Sequence, residues 1–161
     1  MERTEFTNAV EVHQDMVYRI ALHFFCSPSD AEDAVQEVFL RLYTCETDFA
    51  SPDHLRRWLI RVTVNHCKDV LKSPWRKRRI QLEALPDRPV FDTSQQGELY
   101  ETVMELPEKY RIVLYLFYYE ELSTKEIAQL LGVRQTAVTT RLARGRERLK
   151  ERLKGVWKDD E

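Results

Sequence analysis

Three residues near the C-terminus, Thr136, Thr140 and Arg144, have the types and the spacing to read the edges of DNA bases. At intervals of four residues they fall on one face of a helix. Hydroxyl groups donate and accept hydrogen bonds, and an arginine paired with guanine contributes about 1–3 kcal/mol of discrimination. The opposite side of that helix is an apolar stripe made of Val138, Leu142, Leu149 and Leu153. We therefore predict a helix that packs on one side and reads DNA on the other.

The segment before this helix has the pattern of a helix-turn-helix. Ser123 and Glu126 predict a capping box that opens a short first helix. Ala128 stands four residues before Gly132, where a small side chain lets two helices approach and glycine allows a left-handed turn. We expect the wedge between the two helices to be filled by Ile127, Leu131, Val133, Val138 and Leu142.

Basic residues surround the predicted reading helix. Residues 134–154 contain eight basic and two acidic side chains. Such cations hold phosphates without reading sequence, and they make binding steeply dependent on salt. We assign this role to Arg141, Arg146, Arg148, Lys150 and Arg152. A basic helical hairpin that binds protein instead of DNA is the alternative.

A second cationic stripe is predicted in the first half of the chain. Ser51 followed by Pro52 indicates the start of a helix, which runs to about Lys72. At 100° per residue, five polar side chains fall within about 80° of one another. They are Arg57, Arg61, Asn65, Lys68 and Lys72. Asn65 is a weak helix former whose amide can read base edges, and the cations lack acidic partners at helical spacing. We predict a second DNA contact here, with a solvated helix surface as the alternative.

Charge is distributed unevenly along the chain. The net charge is only −2, but residues 1–55 contain eleven acidic and three basic side chains. Residues 56–79 contain nine basic side chains and one acidic side chain. Two basic blocks in a mildly acidic chain indicate two contacts with a polyanion, and the acidic block faces a different partner.

The hydrophobic pattern predicts an all-α fold of two small helical domains joined by a flexible linker, the C-terminal domain being a helix-turn-helix. Apolar residues recur at helical spacing, and no glycine occurs before Gly97. The linker, residues 74–97, has three prolines and no sustained period. The predicted domains are residues 1–73 and 98–161.

We expect about four helices in the first domain. Ser29, with Glu32 three residues later, predicts a capping box at the start of one of them. One face of that helix is apolar and is formed by Ala31, Ala34, Val35, Val38, Phe39 and Leu42.

Composition argues against several other classes of protein. No uncharged apolar run approaches the roughly 20 residues of a membrane span, and the N-terminus lacks an export signal, so we expect a cytoplasmic protein with no direct membrane insertion. The chain has neither a glycine-rich phosphate loop nor metal-ligand spacing, and we predict no catalytic residue, no cofactor and no metal site. Three cysteines are expected to be reduced and mostly to fill the core: Cys26, Cys45 and Cys67.

Three segments together resemble the extracytoplasmic-function (ECF) sigma factors, the branch of the sigma-70 family that keeps only the sigma-two and sigma-four domains. They are DAEDAVQEVFLRLY (30–43), RRWLIRVTVNHCKDVL (56–71) and the segment from LPEKYR to RERL (106–149). The resemblance implies a protein that binds core RNA polymerase and promoter DNA and directs transcription initiation. It also implies an anti-sigma factor as a partner.

The resemblance implies roles for individual residues. Contact with core polymerase falls on Asp33, Gln36, Glu37, Phe39 and Leu40. The minus-10 element falls near Arg61, Asn65 and Lys68, and the cationic stripe adds Arg57 and Lys72 to this contact. The loop from Cys45 to Asp53 is implied to hold a flipped base. The minus-35 element is contacted by Arg134, Gln135, Thr136, Thr139, Thr140, Arg141, Ala143 and Arg144.

The chain departs from the family at three positions of the reading helix. Ala137 replaces the usual threonine, Thr139 replaces a residue that is often basic, and Arg134 stands near a frequent capping serine. The minus-35 sequence therefore cannot be inferred from relatives. A LuxR-type helix-turn-helix regulator is the alternative function, but it needs an α/β sensing domain that residues 1–72 do not suggest. An interaction module that binds no DNA is the third class.

Overall fold

A computed structural model describes the backbone of residues 1–74 and 101–157 and the side chains of residues 1–74 and 101–154. The chain divides into two compact units, Met1–Arg88 and Pro89–Glu161. Every regular element in the described residues is helical, which confirms the all-α prediction. The linker predicted over residues 74–97 lies, apart from its first residue, outside the described residues, so its boundaries remain predictions.

The described residues of the first unit form three helices that pack on one another: α1 (Arg3–Phe25), α2 (Pro28–Thr44) and α3 (Pro52–Lys72). About four helices were expected in this domain, and residues 1–73 contain three of them, of which α1 continues without a break over 23 residues. The largest fully buried side chains of this unit are Val17, Ile20, Val38, Leu42, Leu59, Ile60 and Val64.

A tight connection joins α1 to α2. Cys26 ends α1 in the left-handed conformation at φ 52°, and its N–H donates to the carbonyl of Leu22 at 2.8 Å. Ser27 caps α2 by accepting a bond from the Asp30 N–H at 3.4 Å, and Pro28 occupies the first helical position. The predicted capping box of Ser29 and Glu32 is therefore wrong, because Pro28 starts the helix before Ser29.

The other two predicted helix starts are confirmed. Ser51 accepts a bond from the His54 N–H at 3.1 Å and is followed by Pro52 at the start of α3. In the second unit, Ser123 accepts from the Glu126 N–H at 3.1 Å, and the Glu126 carboxylate accepts from the Ser123 N–H at 3.3 Å. Gly132 follows at φ 68°, the left-handed conformation that the turn requires.

The second unit contains α4 (Glu108–Tyr118), α5 (Thr124–Leu131) and α6 (Gln135–Trp157), preceded by helical residues 101–104. Helix α6 packs against both α4 and α5. Of the predicted wedge residues, Ile127, Val138 and Leu142 are buried, and Leu131 and Val133 are half-buried. The core is completed by Leu106, Ile112, Val113, Leu116 and Leu122.

Arg111 of α4 is a buried cation that the sequence analysis did not identify. Only 6% of it is exposed, and its guanidinium donates to the carbonyls of Leu106 at 3.1 Å and Met104 at 3.3 Å. Met104 is the last of the helical residues 101–104 and Leu106 lies in the connection to α4, so Arg111 ties this connection to α4. A buried carbonyl that loses its donor costs free energy, because water does not replace the bond.

We predict that Arg111→Ala lowers the free energy of unfolding by about 2–3 kcal/mol, since it removes charge-assisted bonds to two carbonyls. Urea denaturation of the full chain measures this change. Arg152→Ala is the matched control, because Arg152 pairs with Glu105 of the same connection at 2.9 Å but on an exposed surface. Its effect should stay below about 1 kcal/mol. Equal losses in the two variants would contradict the assignment.

Candidate nucleic-acid interface

The exposed face of α6 holds the residues predicted to read bases. Thr136, Thr140 and Arg144 are all exposed, whereas Val138 and Leu142 on the opposite side are buried. Leu149 and Leu153, which complete the apolar stripe, are half-buried. The structure therefore divides α6 into a packed side and an exposed side as the sequence predicted.

An open depression of about 370 Å³ lies between α6 and the first turn of α4. It brings together five predicted contact residues: Arg134, Thr136, Thr140, Arg141 and Arg144. It is also lined by Ala137 and by Lys109 and Tyr110 of α4, which the sequence analysis missed. Lys109 precedes the basic block that begins at residue 134, and only the packing of α4 on α6 joins it to that block. Thr139 and Ala143 are exposed on α6 but do not line the depression.

Tyr110 forms the α4 side of this depression and is surrounded by cations. The ring centroid lies 5.0 Å from Lys109 Nζ and 4.9 Å from Arg148 Cζ. Burial raises the pKa of the Tyr110 phenol, but the charges of Lys109 and Arg148 and hydrogen bonds from Arg144 and Lys109 outweigh burial. The result is a pKa below the ordinary value of 10. The depression is lined by Lys109, Arg134, Arg141 and Arg144 and by no acidic residue, so it is electropositive, as a surface that binds phosphates must be.

Three polar side chains of α6 already have partners within the protein. The hydroxyls of Thr139 and Thr140 donate to the carbonyls of Gln135 at 2.8 Å and Thr136 at 2.9 Å. In this rotamer each hydroxyl offers acceptor lone pairs, which suit the amino groups of cytosine and adenine. The Gln135 amide donates to Thr124 Oγ1 at 2.8 Å. Gln135 therefore ties the start of α6 to the start of α5.

Arg148, which lies over the Tyr110 ring, and two further cations assigned to phosphates also contact protein groups. The Arg146 guanidinium lies 5.7 Å from the ring centroid of Phe117 and 5.3 Å from that of Tyr118, and it donates to the Tyr118 hydroxyl. Arg152 pairs with Glu105 at 2.9 Å. Both contacts arise because these positions of α6 lie over neighbouring elements of the same unit. The sequence could not show those neighbours.

The cationic stripe on α3 is largely exposed. Arg57, Arg61, Asn65 and Lys72 are exposed and Lys68 is half-buried, whereas Leu59, Ile60, Val64 and Cys67 are buried on the packed side. One expectation was wrong, because Arg57 does have an acidic partner: its Nε lies 2.9 Å from Asp53 Oδ2, one helical turn earlier. More than half of each side chain in this pair is exposed, so the pair stabilises the helix little and leaves Arg57 at the surface.

Aromatic residues brace the loop between α2 and α3 against the start of α3. The ring of Phe49 contacts the rings of His54 and Trp58 edge to face, at centroid distances of 5.2 Å and 5.5 Å. His54 Nδ1 also accepts a bond from the Ala50 N–H at 3.0 Å. These contacts fix the chain around the segment predicted to hold a flipped base, and no sequence pattern predicted them.

The exposed face of α2 is acidic with an apolar end. Asp33 and Gln36 are exposed, Glu37 is half-buried, and Leu40 is 58% exposed. Phe39 is only 5% exposed, so its side chain belongs to the core beneath this face and does not reach the surface. The sequence analysis missed Tyr43, one turn after Leu40, which is 58% exposed and contacts the Phe6 ring at 5.2 Å. Tyr43 stands three residues after Leu40, and this helical spacing could have predicted that the two side chains share the exposed face.

A charged cluster joins α2 to α3. Arg41 pairs with Glu37 at 3.1 Å, and its guanidinium lies 3.5 Å from His66 Nδ1. Burial lowers the pKa of His66 below 6.5, and the Arg41 charge lowers it further, while Glu37 and Asp69 act in the opposite direction with smaller effect. The folded protein therefore favours neutral His66.

This shift predicts that His66 makes stability depend on pH. The unfolded chain binds a proton near pH 6.5 and the folded chain at a lower pH, so the contribution is complete above pH 6.5. It is lost as pH falls through the lower pKa of the folded state. Unfolding free energies of the parent and His66→Gln chains between pH 7.5 and pH 5 should converge as pH falls. Parallel curves would contradict the prediction.

Membrane-spanning helices and metal-binding clusters are both absent from the described residues. None of the helices there is both long enough and apolar enough to cross a membrane. Within the same residues, no group of three or more histidine, cysteine, aspartate or glutamate side chains is placed to hold a metal ion. Cys67 is buried, and Cys26 and Cys45 are half-buried.

Comparison with known proteins matches both halves of the chain to one family. Residues 9–77 match the model for Sigma-70 region 2, and residues 96–149 match the model for Sigma-70, region 4. The chain is 27% identical to the ECF RNA polymerase sigma factor SigW of Bacillus subtilis, over 96% of this chain and 92% of that protein. It is 31% identical to the RNA polymerase sigma-E factor of Streptomyces coelicolor, over 94% of this chain and 88% of that protein.

A solved structure shares the fold. The sigma factor RpoE of Bartonella quintana, crystallised in complex with the anti-sigma factor NepR, superposes with a TM-score of 0.75 at 17% identity. The alignment covers 93% of this chain and 97% of that one. The LuxR alternative is not favoured, because residues 9–77 match sigma region 2 and the described part of that range is helical. The chain therefore belongs to the extracytoplasmic-function sigma factors of the sigma-70 family.

Proposed function

We propose that this sigma factor reads the minus-35 element with the exposed face of α6 and engages the minus-10 element with the cationic stripe of α3. The observation that carries the proposal is the electropositive depression beside α6. There, one arginine and two threonines on the exposed face lie next to further cations from α4 and α6. Arginine and hydroxyl groups supply base readout, and the flanking charges supply phosphate contacts.

Within the depression, the residues divide into two roles. Thr136, Thr140 and Arg144 lie on the side of α6 away from its core and are assigned to base edges. Arg134 and Arg141 are assigned to phosphates, and Lys109 joins them because it lines the same depression. Gln135 is assigned to holding α6 on α5, because its amide bonds to Thr124. Thr139 and Ala143 remain proposed contacts at the edge of the site.

For the minus-10 element we propose that Arg57, Arg61, Lys68 and Lys72 hold the strand while Asn65 approaches its bases. The stripe is exposed along α3, and single-stranded DNA is bound by such charged tracks combined with aromatic platforms. The loop braced by Phe49, Trp58 and His54 lies at the start of that helix. We propose that this loop receives an unpaired base.

Core polymerase is proposed to bind the exposed face of α2, through Asp33, Gln36, Glu37 and Leu40. Tyr43 extends the same face by one turn and is added to it. Phe39 supports this face from below. The RpoE structure contains an anti-sigma factor, and we propose that an anti-sigma factor also regulates this chain. On this account the protein is an initiation factor with no catalytic chemistry of its own, and it acts where the polymerase acts, in the cytoplasm.

Selection from random DNA with holoenzyme, reconstituted from the full chain and core polymerase, tests the proposal. Two separated conserved blocks are expected among the selected sequences. An α6 variant such as Arg144→Ala should change only the upstream block, and an α3 variant such as Asn65→Ala only the downstream block. A single conserved block, or changes in the wrong block, would contradict the assignment of the two surfaces.

A further inference from the structure

The C-terminal end of α4 presents two aromatic rings almost at right angles to each other. The ring centroids of Phe117 and Tyr118 lie 5.0 Å apart, with an interplanar angle of 85°. Phe117 is half-buried, whereas Tyr118 is 58% exposed. The two rings therefore form a corner at the surface of the second unit.

Arg146 of α6 lies in this corner. Its guanidinium carbon is 5.7 Å from the Phe117 centroid and 5.3 Å from the Tyr118 centroid, which is within the range of a cation–π interaction. Its Nε–H also donates a hydrogen bond to the Tyr118 hydroxyl. Three contacts with the end of α4 thus hold a side chain that is nevertheless exposed.

None of these three contacts uses the terminal nitrogens of the guanidinium. An arginine has five N–H groups in a planar fork, and the bond to Tyr118 uses the one on Nε. The other four belong to the two terminal nitrogens, which together match two oxygens of a phosphate. An unrestrained arginine loses rotamer freedom when it binds, and this loss weakens binding. Arg146 has given up part of that freedom before DNA arrives.

Arg146 lies on the flank of α6 away from the depression. At 100° per residue it is about 20° from Thr139 and about 40° from Lys150, both of which are exposed. By the same arithmetic it is about 160° from Arg144 and about 140° from Arg141, which line the depression. A helix is about 10–12 Å wide and the major groove about 12 Å, so the two flanks of a helix in the groove face phosphates of opposite strands.

We propose that Phe117, Tyr118 and Arg146 form a phosphate-binding site for the DNA strand opposite the one held by the depression. Arg146 contacts the phosphate, and the two aromatic residues are positioning residues that act through it. The inference rests on the proposed placement of α6 in the minus-35 element. It adds the end of α4 to the promoter-binding surface and lets the second unit hold both strands.

Replacing single phosphates by uncharged methylphosphonates along both strands of the minus-35 element tests this site with reconstituted holoenzyme. For the parent chain, neutral linkages on both strands should weaken binding. Arg146→Ala should lower affinity for all minus-35 sequences by about 10-fold or more and reduce the slope of log affinity against log salt by about 1. It should also abolish the penalty at one phosphate.

Tyr118→Ala removes the ring and the hydroxyl that hold Arg146 and keeps the cation. It should lower affinity about 2–10-fold for all sequences, the cost of immobilising one long side chain, and reduce the penalty at the same phosphate. In an Arg146→Ala background it should cause no further loss, because the residue through which it acts is absent. A merely structural role of Tyr118 would lower affinity in both backgrounds.

Tyr119→Ala is the matched control. Tyr119 follows Tyr118 and is equally prominent at the surface, with 57% of it exposed, but its ring stacks on Tyr115 at 5.2 Å. The substitution should leave both the affinity and the pattern of phosphate penalties unchanged. The same loss in the Tyr118 and Tyr119 variants would overturn the positioning role.

The possible results separate this inference from the function on which it rests. If Arg144→Ala leaves base preference intact, the minus-35 assignment fails and the inference fails with it. If Arg144→Ala relaxes one base position but Arg146→Ala changes no phosphate penalty, the assignment stands and the inference is overturned. A penalty that Arg146→Ala abolishes and Tyr118→Ala leaves intact, or additive losses in the double variant, would also overturn it.

Discussion

Reversing two charges on α3, Arg61→Glu together with Lys72→Glu, is expected to abolish promoter opening while the affinity for core polymerase is retained. Both side chains are exposed on the proposed minus-10 surface. Each substitution replaces an attraction with a repulsion of about 1 kcal/mol near the DNA, so the pair weakens the complex by about 4 kcal/mol, or several hundred-fold. Permanganate footprinting of unpaired thymines measures the open complex, and a binding titration measures affinity for core polymerase.

The control for this variant reverses the same number of charges elsewhere. Arg3→Glu with Lys125→Glu changes the net charge equally, and both residues are exposed outside the proposed DNA and polymerase surfaces. This control should retain most opening activity. If both double variants lose opening equally, overall charge is responsible and the assignment to α3 is wrong. Loss of core binding by the α3 variant would assign that face to polymerase.

Arg144→Ala is expected to lower affinity for the preferred minus-35 sequence by about 1–3 kcal/mol, roughly 5–150-fold, and to relax preference at one base position. The expectation follows from the exposed position of Arg144 in the depression beside α6. Binding of the holoenzyme to promoters that carry each single-base change at the minus-35 element measures both effects.

Arg141→Ala provides the contrast, because Arg141 lines the same depression but is assigned to a phosphate. It should weaken binding to all sequences about equally and reduce the slope of log affinity against log salt by about 1. An Arg144 variant with the same uniform loss would show that Arg144 holds a phosphate. An unchanged base preference and an unchanged salt slope would remove it from the site.

Local sequence patterns predicted the parts of the fold that depend on neighbouring residues. The capping box of Ser123 and Glu126, the left-handed Gly132 and the start of α3 at Pro52 each follow from side chains within a few residues. The start of α2 was predicted two residues too late, because Ser29 and Glu32 also satisfy the capping pattern. In the structure α1 ends at Cys26, so Ser27 becomes the N-cap and Pro28 the first residue of α2. The local sequence therefore offers two possible N-cap residues, Ser27 and Ser29, and does not by itself decide between them.

Helical periodicity in the sequence did not predict the contacts between side chains of different helices. The sequence analysis assigned Arg146 and Arg152 to phosphates, but no sequence pattern revealed that tertiary packing also places Tyr118 and Glu105 beside them. The same packing brings Lys109 and Tyr110 of α4 to a site that the sequence placed entirely on α6. Periodicity predicts which side of a helix is exposed. It does not reveal which neighbour covers the edge of that side.

Run-off transcription with core polymerase and the full chain tests the central claim most directly. The claim is that two cationic helices place the polymerase at a promoter while the acidic face of α2 holds the enzyme. Core polymerase alone should give no discrete transcript, and addition of the chain should give a single start site that depends on both promoter elements. Failure of the purified chain to bind core polymerase, or transcription without a defined start, would contradict the account.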